Sequence, residues 1–221
     1  MTATLDGPRL APASGGAPKQ LVIFCHGYGA DGNDLIGLGQ QWRGLLPEAA
    51  FVSPHAPARC GMSPMGYEWF PISRLDPGEY WTGVQQAAPV LDAFIDAELA
   101  RHGLDEGQMA LVGFSQGTMM ALHVGLRRER APAAILGYSG ALAGPDHLAS
   151  EIRVKPPVML IHGDLDEVIP VGALHLATGA LGAAEVNVQW HISPGIGHGI
   201  DGAGLALGAE FLRTALATAR V

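Results

Sequence analysis

The chain has 221 residues, 31 of them glycine, with 48% hydrophobic and only 15% charged side chains. That balance excludes long disordered polar tracts and supplies enough apolar surface for a sizeable core. A net charge of −8 argues against a nucleic-acid partner, because phosphate backbones are held by basic surfaces.

Residues 1–18 are rich in Pro, Gly and Ala and lack a basic start followed by an apolar stretch. They read as a flexible arm ahead of a domain spanning 19–221, and not as a secretory leader. "LVIFC" (21–25) and "AAFVS" (49–53) are apolar runs of the length of buried strands. Residues 54–82 hold several prolines and glycines among Tyr67, Trp69, Phe70, Tyr80 and Trp81. They show no period and read as a long loop, of the kind usually kept for function. Val84, Ala88, Leu91, Ile95 and Leu99 then recur at helical spacing. "MALVGF" (109–114) is a third strand, followed by a helix carrying Met119, Leu122 and Leu126. "AAILGYS" (133–139), "PVMLIH" (157–162) and "VNVQWHI" (186–192) complete the strands, and Leu205, Leu207, Phe211, Leu212 and Leu216 mark a last helix. Strands alternating with helices predict a single α/β domain with a mostly parallel sheet covered on both faces. No run is long enough to span a membrane, so no stable membrane insertion is expected. Only Cys25, in an apolar run, and Cys60, in a loop, are present. That usage fits a reducing, cytoplasmic setting.

Two G-x-G-x-x-G patterns occur in this glycine-rich chain. The first, Gly27 to Gly32, follows a strand as a dinucleotide loop would. The next strand, however, ends in Ser53-Pro54-His55 rather than in the acidic residue that holds a ribose. The second, Gly197 to Gly202, precedes no cofactor unit. Neither HExxH nor paired CxxC is present, so no metal or organic cofactor is expected.

The pattern Gly113-Phe-Ser115-Gln-Gly117 sits between a strand and a helix, the context in which a serine is turned outward as a nucleophile. Such a hydroxyl needs a base and an acid to orient that base. In chain order, "HGDLDEVIP" offers Asp164 and Asp166 past one strand, and "GIGHGID" offers His198 past the next. The remaining histidines have plainer roles: His26 and His162 open "HG" pairs at strand ends and read as structural. Asp164 reads as a turn former and Asp201 as a helix cap.

"FCHGYGADGNDL", "LVGFSQGTMMAL", "YSGALAG", "IHGDLDEVIPV" and "GIGHGI" resemble the phospholipase/carboxylesterase family of α/β hydrolases, which includes the acyl-protein thioesterases. The resemblance runs from about residue 19 to the C-terminus. It implies the α/β-hydrolase fold and a catalytic set of Ser115, Asp166 and His198, with Asp166 rather than Asp164 as the acid. It also implies an oxyanion hole made by the backbone N–H groups of Tyr28 and Gln116, whose side chains would then be free to vary. Residues 139–157 leave no room for a large cap domain, so any cover for the site falls to residues 54–82. Met62, Met65, Trp69, Phe70 and Leu75 are the expected apolar wall. "EWFPIS" has Pro71 where the family commonly has aspartate, so short to medium acyl chains are expected rather than long ones. The expected partner is a small-molecule ester; an acyl-protein thioesterase or lysophospholipase would use the same residues. Related enzymes often form homodimers, though no interface is identifiable here.

Overall fold

The computed structural model describes residues 4–74 and 76–218. Strands β1 (Arg9–Leu10), β2 (Gln20–Cys25) and β3 (Ala49–Val52) are followed by a hairpin, β4 (Ala58–Cys60) and β5 (Ser63–Glu68). Then come β6 (Met109–Phe114), β7 (Ala134–Tyr138), β8 (Val158–Gly163) and β9 (Val188–Ser193). The main sheet has the order β1-β3-β2-β6-β7-β8-β9 and is parallel except for β1, which pairs antiparallel with β3. The helices are α1 (Gly32–Trp42), α2 (Pro77–His102), α3 (Gln116–Gly125), α4 (Pro145–Glu151), α5 (Gly172–Ala183) and α6 (Gly202–Thr218). This is the α/β-hydrolase fold in one domain, with the short α4 in place of a cap.

Strands β2, β3, β6, β7 and β8 read as apolar runs because each feeds two cores. Along β2, Leu21, Ile23 and Cys25 face α2 and α3, while Val22 and Phe24 face α1 and α6. The same alternation divides Met109 and Leu111 from Ala110 and Val112 on β6. A strand buried on both faces has no polar side to show. Each buried Val, Leu, Ile or Phe contributes about 1.5–3 kcal/mol of transfer free energy.

Two expectations need correcting. The described part of the 1–18 segment is not a free arm. Leu5 is buried, Arg9 and Leu10 pair with Val52 and Phe51, and the Arg9 guanidinium binds the Glu98 carboxylate on α2 at 2.8 Å. The 54–82 segment is not structureless either. It contains the β4–β5 hairpin and the first turns of α2, which is capped by the Asp76 side chain accepting from Glu79 N–H. Pro77 at the first turn removes a donor that would have lacked a partner anyway. Among the described residues no helix is long and apolar enough to cross a membrane.

Candidate active site

Ser115 lies between β6 and α3 with φ 55° and ψ −118°, in a region that residues with a Cβ rarely adopt. Such a conformation costs on the order of 1–3 kcal/mol and persists only where the surroundings enforce it. They do so here. Ser115 N–H donates to Tyr138 O at 2.9 Å, and Thr118 Oγ1 donates to the same carbonyl at 2.9 Å. The flanking glycines let three segments approach: a Cβ on Gly113 would lie 2.4 Å from Gly117 O, and one on Gly117 would lie 1.8 Å from Cys25 O. The N-terminus of α3 thus opens directly at the serine, with its amides and positive dipole end toward the same space.

The loop after β2 abuts this turn, since a Cβ on Gly27 would meet Ser115 Cβ at 3.4 Å. His26 is buried, and its Nδ1–H donates to Gly27 O at 2.8 Å while Nε2 accepts from Ala56 N–H at 2.9 Å. Burial pushes its pKa below the ordinary histidine value, so the ring is a neutral two-way strut, as its structural reading required. The hairpin grips the loop from outside. Gly29 N–H donates to Tyr67 O at 2.9 Å and Tyr67 N–H to Ala30 O at 2.7 Å. Burial, and hydrogen bonding with Cys60 and Glu68, push the Tyr28 hydroxyl well above the usual phenol range. The two amides expected to form an oxyanion hole, those of Tyr28 and Gln116, therefore belong to two segments packed against one another.

Asp166 lies past β8 and is buried. Its Oδ1 accepts from Val168 N–H and Ile169 N–H, both at 2.9 Å, and its Oδ2 accepts from His198 Nδ1–H at 2.8 Å. His162 Nε2 stands 3.3 Å from the same Oδ2 while donating to Ile169 O at 2.8 Å, so this histidine steadies the acid's loop. With Nδ1 protonated, His198 keeps Nε2 as its free acceptor. Its ring rests on that of Phe114, the residue before Ser115, at a centroid distance of 5.0 Å. Asp164, expected to form a local turn, instead ties its loop to the one after β9, accepting from Gly195 N–H at 2.6 Å. Asp201 caps α6 through Gly204 N–H at 3.0 Å and accepts from Ser193 Oγ at 2.7 Å.

The expected apolar wall is placed differently. Met62 and Met65 stand out on the hairpin, 82% and 83% exposed, whereas Trp69 and Phe70 are buried and pin the segment to the core. Leu75 lies outside the described residues. An apolar cavity of about 240 Å³ instead opens between the loops after β7 and β8, lined by Tyr80, Leu142, Pro145, Val168, Ile169 and Leu176. Ala141 also lines it, and at the preceding Gly140 a Cβ would lie 2.8 Å from Ser115 O. Two site features escaped the sequence reading. Ser139, with φ 44°, donates from Oγ to Gly199 O at 3.3 Å and so braces the loop carrying His198. Gln116 has a side chain that is engaged rather than free: Oε1 accepts from Trp69 N–H at 3.0 Å and Nε2 donates to Phe70 O at 2.7 Å. The "SG" after a strand was a weak signal for the first; a buried polar residue inside an apolar helix start was one for the second. Among the described residues no group of three His, Cys, Asp or Glu is placed to hold a metal ion.

A sequence model described as phospholipase/carboxylesterase matches residues 12–216. Acyl-protein thioesterase 1 of Gibberella zeae is 30% identical over 216 residues, with 88% of this chain and 91% of the relative covered. Esterase YpfH of Escherichia coli is 26% identical, covering 88% and 82% respectively. Among solved structures, esterase PE8 is 47% identical and superposes with a TM-score of 0.93 over 96% of this chain and all of that one. SOBER1 of Arabidopsis thaliana, at 23% identity, covers 89% of this chain and 99% of its own with a TM-score of 0.76, a likeness of fold alone. The chain belongs to the phospholipase/carboxylesterase family, a family of carboxylic-ester hydrolases on the α/β-hydrolase fold.

Proposed function

We propose that the protein is a serine carboxylesterase that hydrolyses esters of short to medium acyl chains. The observation that carries this reading is the strained backbone of Ser115, next to Phe114, whose ring meets an imidazole that Asp166 holds by Nδ1. Ser115 Oγ attacks the ester carbonyl as His198 Nε2 takes its proton, and Asp166 stabilises the imidazolium that forms. The oxyanion is received by the N–H groups of Tyr28 and Gln116, aided by the α3 dipole. His198 then protonates the leaving alcohol, and water repeats the cycle on the acyl-enzyme. The cavity beside Gly140 takes the acyl chain. At about 240 Å³ it falls below the usual range for larger ligands, which favours short chains.

Rates on p-nitrophenyl esters of rising length test this, with a maximum expected between butyrate and octanoate; a maximum at palmitate would refute the chain-length claim. Ser115→Ala should abolish turnover and labelling by a fluorophosphonate. The Gibberella zeae thioesterase relative favours a second reading, in which S-acyl peptides are the substrates. Comparing kcat/KM for an S-acyl peptide with that for the matching oxygen ester separates the two.

A further inference from the structure

The two oxyanion donors sit on separate stretches of chain, and a single short segment touches both. Tyr67 exchanges backbone hydrogen bonds with Gly29 and Ala30, and Trp69 Nε1 donates to His26 O at 2.9 Å. These fasten Tyr67–Phe70 to the loop that carries Tyr28. On its other side the same segment meets the Gln116 carboxamide, which bonds Trp69 N–H and Phe70 O at once. Gln116 is 1% exposed, so no water competes for these bonds. Past the end of β5 at Glu68, Trp69 N–H and Phe70 O have left the hairpin ladder, and the carboxamide supplies the donor and acceptor they need. A primary amide can accept from an N–H and donate to a carbonyl in one plane, and it stays neutral at every pH at which the protein is folded.

We propose that the Gln116 side chain is a positioning residue for hydrolysis, which sets the spacing of the Tyr28 and Gln116 amides by clamping Tyr67–Phe70 to the serine turn. This rests on the reading of those amides as the oxyanion donors. Its effect belongs to the transition state, because the donors must match an oxygen position that exists only once the carbonyl has become tetrahedral. The lining of the apolar cavity includes neither Gln116 nor any of Tyr67–Phe70, so ground-state binding there does not depend on the clamp.

Gln116→Met keeps the chain length and the backbone N–H but removes both bonds. It should lower kcat on p-nitrophenyl butyrate on the order of 10²-fold with KM nearly unchanged. Affinity for an aryl trifluoromethyl ketone, whose adduct with the serine carries an oxyanion, should fall by the same factor. Gln116→Glu supplies a second readout. Its protonated carboxyl can accept from Trp69 N–H and donate to Phe70 O, whereas its carboxylate opposes that carbonyl. Burial and the bond to the neutral form raise its pKa. The variant should therefore lose kcat/KM on the alkaline side, through one ionisation that the wild type lacks. Should Gln116→Met fail to fold, that pH profile decides the matter alone. Unchanged kcat, a rise confined to KM, ketone affinity that does not follow kcat, or a Gln116→Glu profile parallel to wild type would each overturn the inference. Full turnover by Ser115→Ala would instead remove the underlying reading, so the two failures are distinct.

Discussion

Gly117 faces the carbonyl oxygen of Cys25 so closely that a Cβ at residue 117 would lie 1.8 Å from it. Helix α3 can start directly beneath the end of β2 only because this position is bare. Gly117→Ala should therefore cost on the order of 3 kcal/mol and remove activity with it. Gly179 is the contrast: it lies in α5 with open space around it. Gly179→Ala should stabilise the protein by about 1 kcal/mol and leave hydrolysis intact. Urea unfolding of both variants, with assays on the folded fractions, checks the pair.

The strain at Ser115 predicts a trade between stability and activity. Glycine adopts a φ of 55° without a steric penalty. Ser115→Gly should raise the unfolding free energy by about 1 kcal/mol and eliminate turnover, whereas Ser115→Ala should eliminate turnover with little gain. Equal stability of the two variants would show that the turn is unstrained.

Asp166→Asn removes the acceptor that fixes the His198 tautomer. A loss on the order of 10⁴-fold in kcat is expected, the size seen where a Ser-His-Asp triad loses its acid, with the fold kept by the remaining bonds to Val168 and Ile169 N–H. Retention of activity within tenfold would exclude Asp166 as the orienting acid.

Arg9 anchors the N-terminal segment to Glu98, whose side chain is 2% exposed. The partnership holds the guanidinium pKa above its usual value. Arg101 also reaches Glu98, at 3.1 Å, so Arg9→Ala leaves that buried charge only partly compensated and should cost about 2 kcal/mol. Lys155 and Glu185 form an exposed pair, and Lys155→Ala should leave the unfolding temperature nearly unchanged. Thermal unfolding distinguishes the two.

Buried His123 packs edge-on against Trp81 at 5.5 Å, and burial, with Arg127 nearby, pushes its pKa down to about 4. In the unfolded chain the same ring titrates near its ordinary value, roughly 6.5. Between these limits the unfolded state binds the extra proton, so stability is full above the window and is lost as pH falls through it. The loss from this ring approaches roughly 3 kcal/mol, and His26, shifted in the same direction, adds to it. His123→Phe should flatten the decline measured by urea unfolding between pH 7 and pH 4.5; an unchanged slope would assign it elsewhere.

What the residues disclosed on their own depended on the range of the interactions involved. Runs such as "LVIFC" and "MALVGF" announce strands because burial on two faces leaves no polar positions. The expected Ser115 and Asp166 each follow such a run, whereas the expected His198 follows β9, whose residues are mostly exposed or half-buried. Arg9–Leu10 was not, since two residues cannot display alternation. The hairpin strands "ARC" and "SPMGYE" contain no Val, Ile or Thr, and they are held by contact with the Gly29 loop rather than by propensity. The Gln116 clamp joins positions 46 and 47 residues apart, and the cavity gathers Leu142 and Val168 from different loops. Neither leaves a periodic trace.

The two rims of the parallel sheet are unequal in what they carry. Every residue assigned to chemistry lies where strands end, while the turns that lead into the strands bear none of it. Between α3 and β7 one such turn exposes Glu129 and Arg130, on the side away from Ser115. That makes it an attachment point for an affinity handle, a surface tether or a fused reporter. An esterase immobilised there would present its open mouth to the solution.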